Sequence, residues 1–247
     1  MRPILTHPLM SLIALIALWQ LAAMAAATPV LPSPAAVGRV LVAEIRSGQL
    51  PYHLGITLAR LAVSFVLAMG LGSGIGILLG RNRSLDRFFD SWLVLFLNVP
   101  ALVTIILCYL WFGLVEGAAI VAVVINKLPN VIVVLREGTR ALDRELLEMA
   151  EVYRFGRIKT LRHVIWPQLY PFVITAARTG LALIWKIILV VELLGRSNGM
   201  GYQLHLFFQT FDVSAILAYA IAFVIVVQLI EFAILKPLDR HARRWQR

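Results

Sequence analysis

The sequence predicts an all-α membrane protein with about six transmembrane helices, and three observations predict it. Hydrophobic residues make up 60% of the chain against 15% charged, with a mean hydropathy of +0.85. A soluble domain of 247 residues does not need that much apolar surface. Six runs are apolar over about 18 residues or more, the length that crosses a bilayer as a helix. Finally, 16 of the 23 Lys and Arg residues flank these runs on one side, 3 on the other, and 4 lie within them. Such asymmetry marks the cytoplasmic side. No alternating barrel pattern is present, and lipid then leaves the backbone only the helix as a way to satisfy its polar groups. The whole chain, 1–247, reads as one transmembrane domain.

The runs, in order, are 9–27, 55–80, 92–113, 118–135, 172–194 and 213–235. The first follows Arg2 and ends in Ala25-Ala26-Ala27, which also suits a cleaved signal peptide. Its length and the charge count favour a retained helix. Residues 28–54 form a long outer loop opening with Pro29, Pro32 and Pro34, which favour extended backbone. The second run holds Gly70, Gly72, Gly74, Gly76 and Gly80, superficially a dinucleotide loop. Gly72, Gly76 and Gly80 share one helix face, and small residues at that spacing let helices approach closely in lipid.

The third run contains Asn98 beside Pro100. The fourth is short and holds Lys127 and Pro129, with Asn126 and Asn130 around the proline. Irregular turns at these prolines would suit a cavity lining. The fifth carries Arg178, Lys186 and Glu192. Ionisable residues inside a span are functional candidates by default. Lys186 and Glu192 are six residues apart, so they point about 120° apart around one helix, and each is expected to find a partner on another helix. The plainer reading is a buried structural pair; the sharper one is that they border a passage. The loop 195–212 is glycine-rich, with Gly195, Gly199 and Gly201. With the basic side inside, both termini are cytoplasmic.

Several function classes are excluded or disfavoured. Cys108 is the only cysteine, so there is no intrachain disulfide or thiol metal cluster. His7, His53, His163, His205 and His241 lack metal-ligand spacing, and no nucleophile–base constellation stands out. Lys127, Lys159, Lys186 and Lys236 all lack a preceding glycine, so there is no Gly-Lys-Ser/Thr phosphate loop. Without a phosphate cradle the chain is not expected to hydrolyse ATP itself, and energy for any driven process would come from a partner or an ion gradient. The net charge of +10 invites nucleic acid, but the basic residues sit beside the spans. No cofactor is called for.

The inner loop 136–171 is the informative segment. Leu142, Leu146, Met149, Ala150 and Tyr153 recur at three- and four-residue steps, the mark of an amphipathic helix. Asp143 can cap its start, and Glu145 sits in its first turn. A second short helix, about 158–165, is expected to end before Pro167. The pair either lies on the membrane surface or docks its apolar stripe into a soluble partner.

Glu148-Met149-Ala150, with Val164 and Pro167 at the expected offsets, resembles the EAA loop of ABC importer permeases. There, Glu-Ala-Ala is followed by glycine six residues after the Glu, and Leu-Pro closes the loop. Gly138, Leu142, Asp143, Leu146 and Leu147 resemble the lead-in of the nitrate/sulfonate/taurine branch. Leu31-Pro32-Ser33-Pro34, Val191-Glu192-Leu193-Leu194-Gly195, Gly199-Met200-Gly201-Tyr202, Asp212 and Trp245 also fall where that branch places such residues. The likeness covers nearly the whole chain. Arg154 stands where the family has glycine, Met149 replaces a small residue, and Trp166 replaces leucine. Gly156, two positions later, is expected to provide the turn instead.

The resemblance implies a type I importer permease fold in the bacterial inner membrane, with 138–167 as coupling helices. Leu142, Leu146, Glu148, Met149, Ala150, Tyr153, Arg154, Gly156 and Pro167 would dock an ATPase. It implies two ATPase subunits, a second copy of this chain as homodimer, and an extracytoplasmic solute-binding protein. Transport would run by alternating access, with a sulfonate, taurine or nitrate-like anion as solute. Asn98, Lys127, Lys186 and Glu192 are the expected path residues. The rival is an ion-gradient transporter using Glu192 and Lys127, which would show inverted repeats that the sequence lacks.

Overall fold

The computed structural model describes residues 8–235 and Pro237. Arg2, His7, Lys236, Arg240, His241, Arg243, Arg244, Trp245 and Arg247 lie outside the described residues. Among those described, every regular element is a helix. By length and apolar composition four helical segments can cross a membrane: Gln49–Arg81, Glu116–Arg140, Arg157–Gly195 and Val213–Ala233. Arg83–Asn98 and Ala101–Phe112 make a fifth if counted together, but they meet at 97°. The first apolar run forms a 19-residue helix, α1 (Pro8–Ala26), of which Met10–Ala26 counts as a shorter apolar helix. The expected count of six is therefore not reached on these criteria.

Proline explains the bend. Val99 precedes Pro100 and is pushed to extended backbone, which ends α4 (Arg83–Asn98) before α5 (Ala101–Phe112) begins. The turn expected at Pro129 does not form. α6 (Glu116–Arg140) continues through that residue, which is buried among neighbouring helices. Packing there holds a helix that an isolated peptide would break.

The loops 28–54 and 195–212, expected on the outer side, are also more helical than expected. α2 (Pro34–Arg46) starts where the Ser33 hydroxyl accepts the Ala36 amide at 3.3 Å and Pro34 occupies the first turn, so that proline opens a helix. α10 (Met200–Gln209) fills most of the loop 195–212. α2 packs on α11 (Val213–Ile230), where the Tyr219 hydroxyl donates to the Glu44 carboxylate at 2.8 Å.

At the centre, α6 runs between α3 (Gln49–Arg81) and α9 (Trp166–Gly195). A Cβ on Gly72 would lie 2.6 Å from Val131 Cβ, one on Gly76 2.7 Å from the Ile132 carbonyl, and one on Gly80 2.6 Å from Thr139 Cβ. The glycine face is what lets α3 lie flush on α6. Ile105, Val123, Ile184 and Ile188 fill the main core, and Leu50, Met200, Tyr219 and Phe223 a second one under α10.

The inner loop holds α7 (Arg144–Val152) and α8 (Arg157–Thr160). The second helix does not stop before Pro167. It runs through a π-helical turn, Leu161–Ile165, straight into α9. The Trp166 amide donates five residues back to Leu161. Pro167 then sits in the first turn of α9, and the wider turn before it accommodates the ring that a regular helix would reject.

Candidate functional site

Two groups of residues stand out, one at each end of the bundle. The first is the helix α7, which hangs outside the spans. Asp143 caps it by accepting the Glu145 amide at 2.9 Å. Ala150 is buried, Leu142 is half-buried, and Leu146, Met149, Tyr153 and Glu148 are exposed. The amphipathic stripe is therefore split: its inner edge anchors the helix and its outer edge has no cover among the described residues. Val152 and Ile158 extend that bare apolar edge.

The turn after α7 corrects an expectation. Gly156 has φ −65° and ψ 159°, ordinary extended backbone, and a Cβ there would meet nothing. The left-handed residue is Arg154 itself, at φ +50°. The Phe155 amide donates to Ala150 at 2.8 Å and the Arg154 amide to Glu151 at 2.9 Å, the paired bonds of a Schellman cap. This is the position where glycine stands in the resembled loop, and the backbone adopts the glycine-like conformation regardless. Pro167 lies beyond the π turn, at the base of α9.

The second group is buried near the other end of the bundle. Glu192, fully buried on α9, accepts three kinds of donor. The Arg60 guanidinium of α3 bonds it at 2.7 Å, the Thr57 hydroxyl at 2.9 Å, and the Gly201 amide at 2.9 Å. The Met200 amide donates to the Thr57 hydroxyl at 2.8 Å, and the Gly199 amide to His53 Nδ1 at 3.0 Å. Gly199, at φ +106°, lies so close to the Glu192 carboxylate that no side chain fits. Arg60 also pairs with Glu116 and bonds both the backbone and side-chain oxygens of Asn198. Arg196 joins Glu116 at 2.8 Å. The two segments Val191–Gly195 and Gly199–Tyr202 are thus tied to each other and to α3 through one carboxylate.

The four expected path residues are not brought together. Lys127 is buried on α6 beside Gly180 of α9, and among the described residues no carboxylate pairs with it. Lys186 is exposed on α9, its ammonium 5.5 Å from the Trp185 ring centroid. Asn98 is exposed at the end of α4 and donates to Val94 at 2.7 Å. No hydrogen bond or ion pair among the described residues joins any two of the four. Glu192 does find its partner on another helix. Arg60, Thr57, His53 and Glu116 were not singled out from the sequence. Arg60 carried a readable signal, as an arginine inside a span; the rest are ordinary residues until packing assembles them.

Among the described residues no group of His, Cys, Asp or Glu could hold a metal ion.

Comparison with known proteins gives a consistent picture. Residues 72–244 match the family model described as "Binding-protein-dependent transport system inner membrane component". A Bacillus subtilis (strain 168) protein named as an aliphatic sulfonates transport permease, SsuC, is 32% identical over 235 residues, 94% of this chain and 84% of that protein. The taurine transport system permease protein TauC of Escherichia coli (strain K12) is 24% identical over 193 residues, 78% of this chain and 70% of its own. Among solved structures, an inward-facing MetNI methionine ABC transporter superimposes with TM-score 0.67 at 20% identity, covering 83% of this chain and 99% of that one. An amino acid ABC transporter with histidines gives TM-score 0.65 at 19% identity, covering 81% and 97%.

Proposed function

The chain belongs to the family of binding-protein-dependent transport system inner membrane components, the ABC importer permeases, and from that premise we propose that it is the membrane channel of an ATP-driven importer for a small organic anion. It works as a homodimer with two ATPase subunits and an extracytoplasmic binding protein, in the bacterial inner membrane, with both termini cytoplasmic. The ATPases close on nucleotide, push α7 and α8, and swing the spans from inward-open to outward-open. The observation that carries this reading is the bare apolar edge of α7, with Leu146, Met149 and Tyr153 exposed on a well-capped helix outside the bundle. A rigid helix with an uncovered stripe is what a groove in a soluble partner takes up. Its C-terminal turn leads through α8 and the π turn without interruption into α9, so a push on the loop reaches a spanning helix.

A sulfonate, taurine or similar anion as solute is supported by the names of the relatives and by Lys127 and Lys186 within the spans. Asn98, Lys127, Lys186 and Glu192 are the proposed path residues, and Arg60 joins them as the partner that holds Glu192. The proposed docking surface is Leu142, Leu146, Glu148, Met149, Tyr153, Arg154, Gly156 and Pro167, with Ala150 buried beneath it as the anchor of α7.

The test is direct. Leu146→Asp and Glu148→Arg should each abolish uptake and transport-coupled ATP hydrolysis while the permease still inserts in the membrane at its normal level. Undiminished uptake in both variants would overturn the docking assignment.

A further inference from the structure

The end of the bundle that carries α7 has two abutting concavities built on the same three helices. One is a polar pocket of about 1090 Å³ between the end of α3, the start of α4, the end of α6 and α7. Arg81, Arg83, Arg87, Arg140 and Arg144 line it, with Asp86 the one acid. Asp86 is buried and already taken, by Arg136 at 3.1 Å and by Arg140. Arg81, Arg83, Arg87 and Arg144 form no ion pair among the described residues. The other is a wholly apolar groove of about 530 Å³ between α3, α4 and α6, whose outer wall includes Leu78, Phe89, Trp92 and Phe96. The two meet along the chain: Leu79 lines the groove and Gly80 the pocket, and Leu85 and Asp86 do the same on α4.

Basic residues are expected at this end of the spans in any case. Their convergence is not: four uncompensated guanidiniums share one concavity at the membrane surface, next to an apolar slot running into the bilayer. Guanidinium groups bind phosphate oxygens in a forked geometry, and a basic pocket at the ends of spans takes phospholipid head groups. The apolar slot between α3, α4 and α6 suits an acyl chain. We propose that the two concavities form one binding site for an anionic phospholipid, its phosphate among Arg81, Arg83, Arg87 and Arg144 and an acyl chain along Leu78, Phe89, Trp92 and Phe96. The site depends only on the chain lying in a bilayer, and its test does not read uptake.

The experiment uses the purified transporter complex in detergent, titrated with palmitoyl-oleoyl-phosphatidylglycerol and followed by native mass spectrometry. Phosphatidylglycerol should bind in preference to phosphatidylcholine, and Arg83→Gln with Arg87→Gln should weaken it by about tenfold or more. Trp92→Ala should also weaken it, and inorganic phosphate should not displace it. Equal binding of the two lipids, or full phosphatidylglycerol affinity in the double variant, overturns the proposal. Displacement by inorganic phosphate shows a free-anion pocket and overturns the lipid assignment. Loss of the ATPase subunit from the double variant, with lipid binding unchanged, shows a protein-docking surface and overturns it too. A second measurement needs no arginine variant: brominated phosphatidylglycerol should quench tryptophan fluorescence more in the wild type than in Trp92→Phe. Equal quenching counts against the site.

Discussion

Arg154 shows how a backbone demand outlasts the residue that best meets it. Its left-handed conformation is set by the two amide bonds that close the end of α7, and those bonds do not depend on the side chain. A residue with a Cβ gives up about 1 kcal/mol there relative to glycine. Arg154→Gly is therefore expected to raise the thermal unfolding midpoint of the purified permease, and a lowered midpoint would contradict the assignment of the turn. Glu192 poses the opposite case, a side chain whose role is electrostatic. Removing it leaves the Arg60 guanidinium, which is 5% exposed, with only Glu116 and Asn198, and deprives the buried Gly201 amide and Thr57 hydroxyl of their acceptor. Glu192→Met should cost about 3–5 kcal/mol, and the double variant Arg60→Met with Glu192→Met distinctly less than the losses of Arg60→Met and Glu192→Met added together. Thermal unfolding of the four proteins measures the cycle. Strict additivity would mean the pair is not coupled. The candidacy of Glu192 was legible, because a carboxylate inside a span is rare. Its partner was not: Arg60 lies 132 residues away, and only the packing of α3 on α9 selects it over the other cations in spans.

At the scale of elements, the long apolar helices were the most legible part of the chain, and the short ones the least. α2 and α10 hide among prolines and glycines that read as loop. A proline can end, bend, open or sit inside a helix. Here Pro100 breaks one, Pro34 opens one, Pro129 is carried within one, and Pro167 is passed by way of a π turn. Residue type alone does not choose among these outcomes, since neighbouring helices satisfy or leave bare the freed carbonyl. The glycine face of α3 was readable from its four-residue spacing, and its use is now specific: Gly76 faces the Ile132 carbonyl of α6. Gly76→Leu has no room there. It should separate the two helices and cut the yield of monodisperse protein in size-exclusion chromatography several-fold, whereas Gly74→Leu, whose Cβ meets nothing, should be tolerated.

For the molecule as a whole, α9 presents a problem that one chain does not solve. Thr175, Arg178, Thr179, Ala182 and Lys186 are all exposed along one side of this spanning helix. Arg178 lies 3.9 Å from Glu231, and Lys186 leans on Trp185. Such a polar stripe does not face hydrocarbon. The stripe fits the second copy proposed above, covering this side with water between the copies. Ala182→Cys in whole cells is expected to react with a small membrane-impermeant thiol reagent during transport. Leu110→Cys, exposed on α5 in an apolar stretch, should stay unreactive. Equal protection of both would place the stripe against lipid or dry protein.

The sequence by itself determined the class, the long apolar helices, the amphipathic loop with its cap, and the family, because hydropathy, charge asymmetry and local spacing act within a few turns of one helix. The tertiary structure alone decided which prolines break, which residue takes the left-handed turn, where Lys127 and Lys186 point, and that Arg60 holds Glu192. Those outcomes depend on contacts between helices far apart in the chain, where a missing hydrogen bond or an unpaired charge is settled by whatever neighbour packing brings alongside.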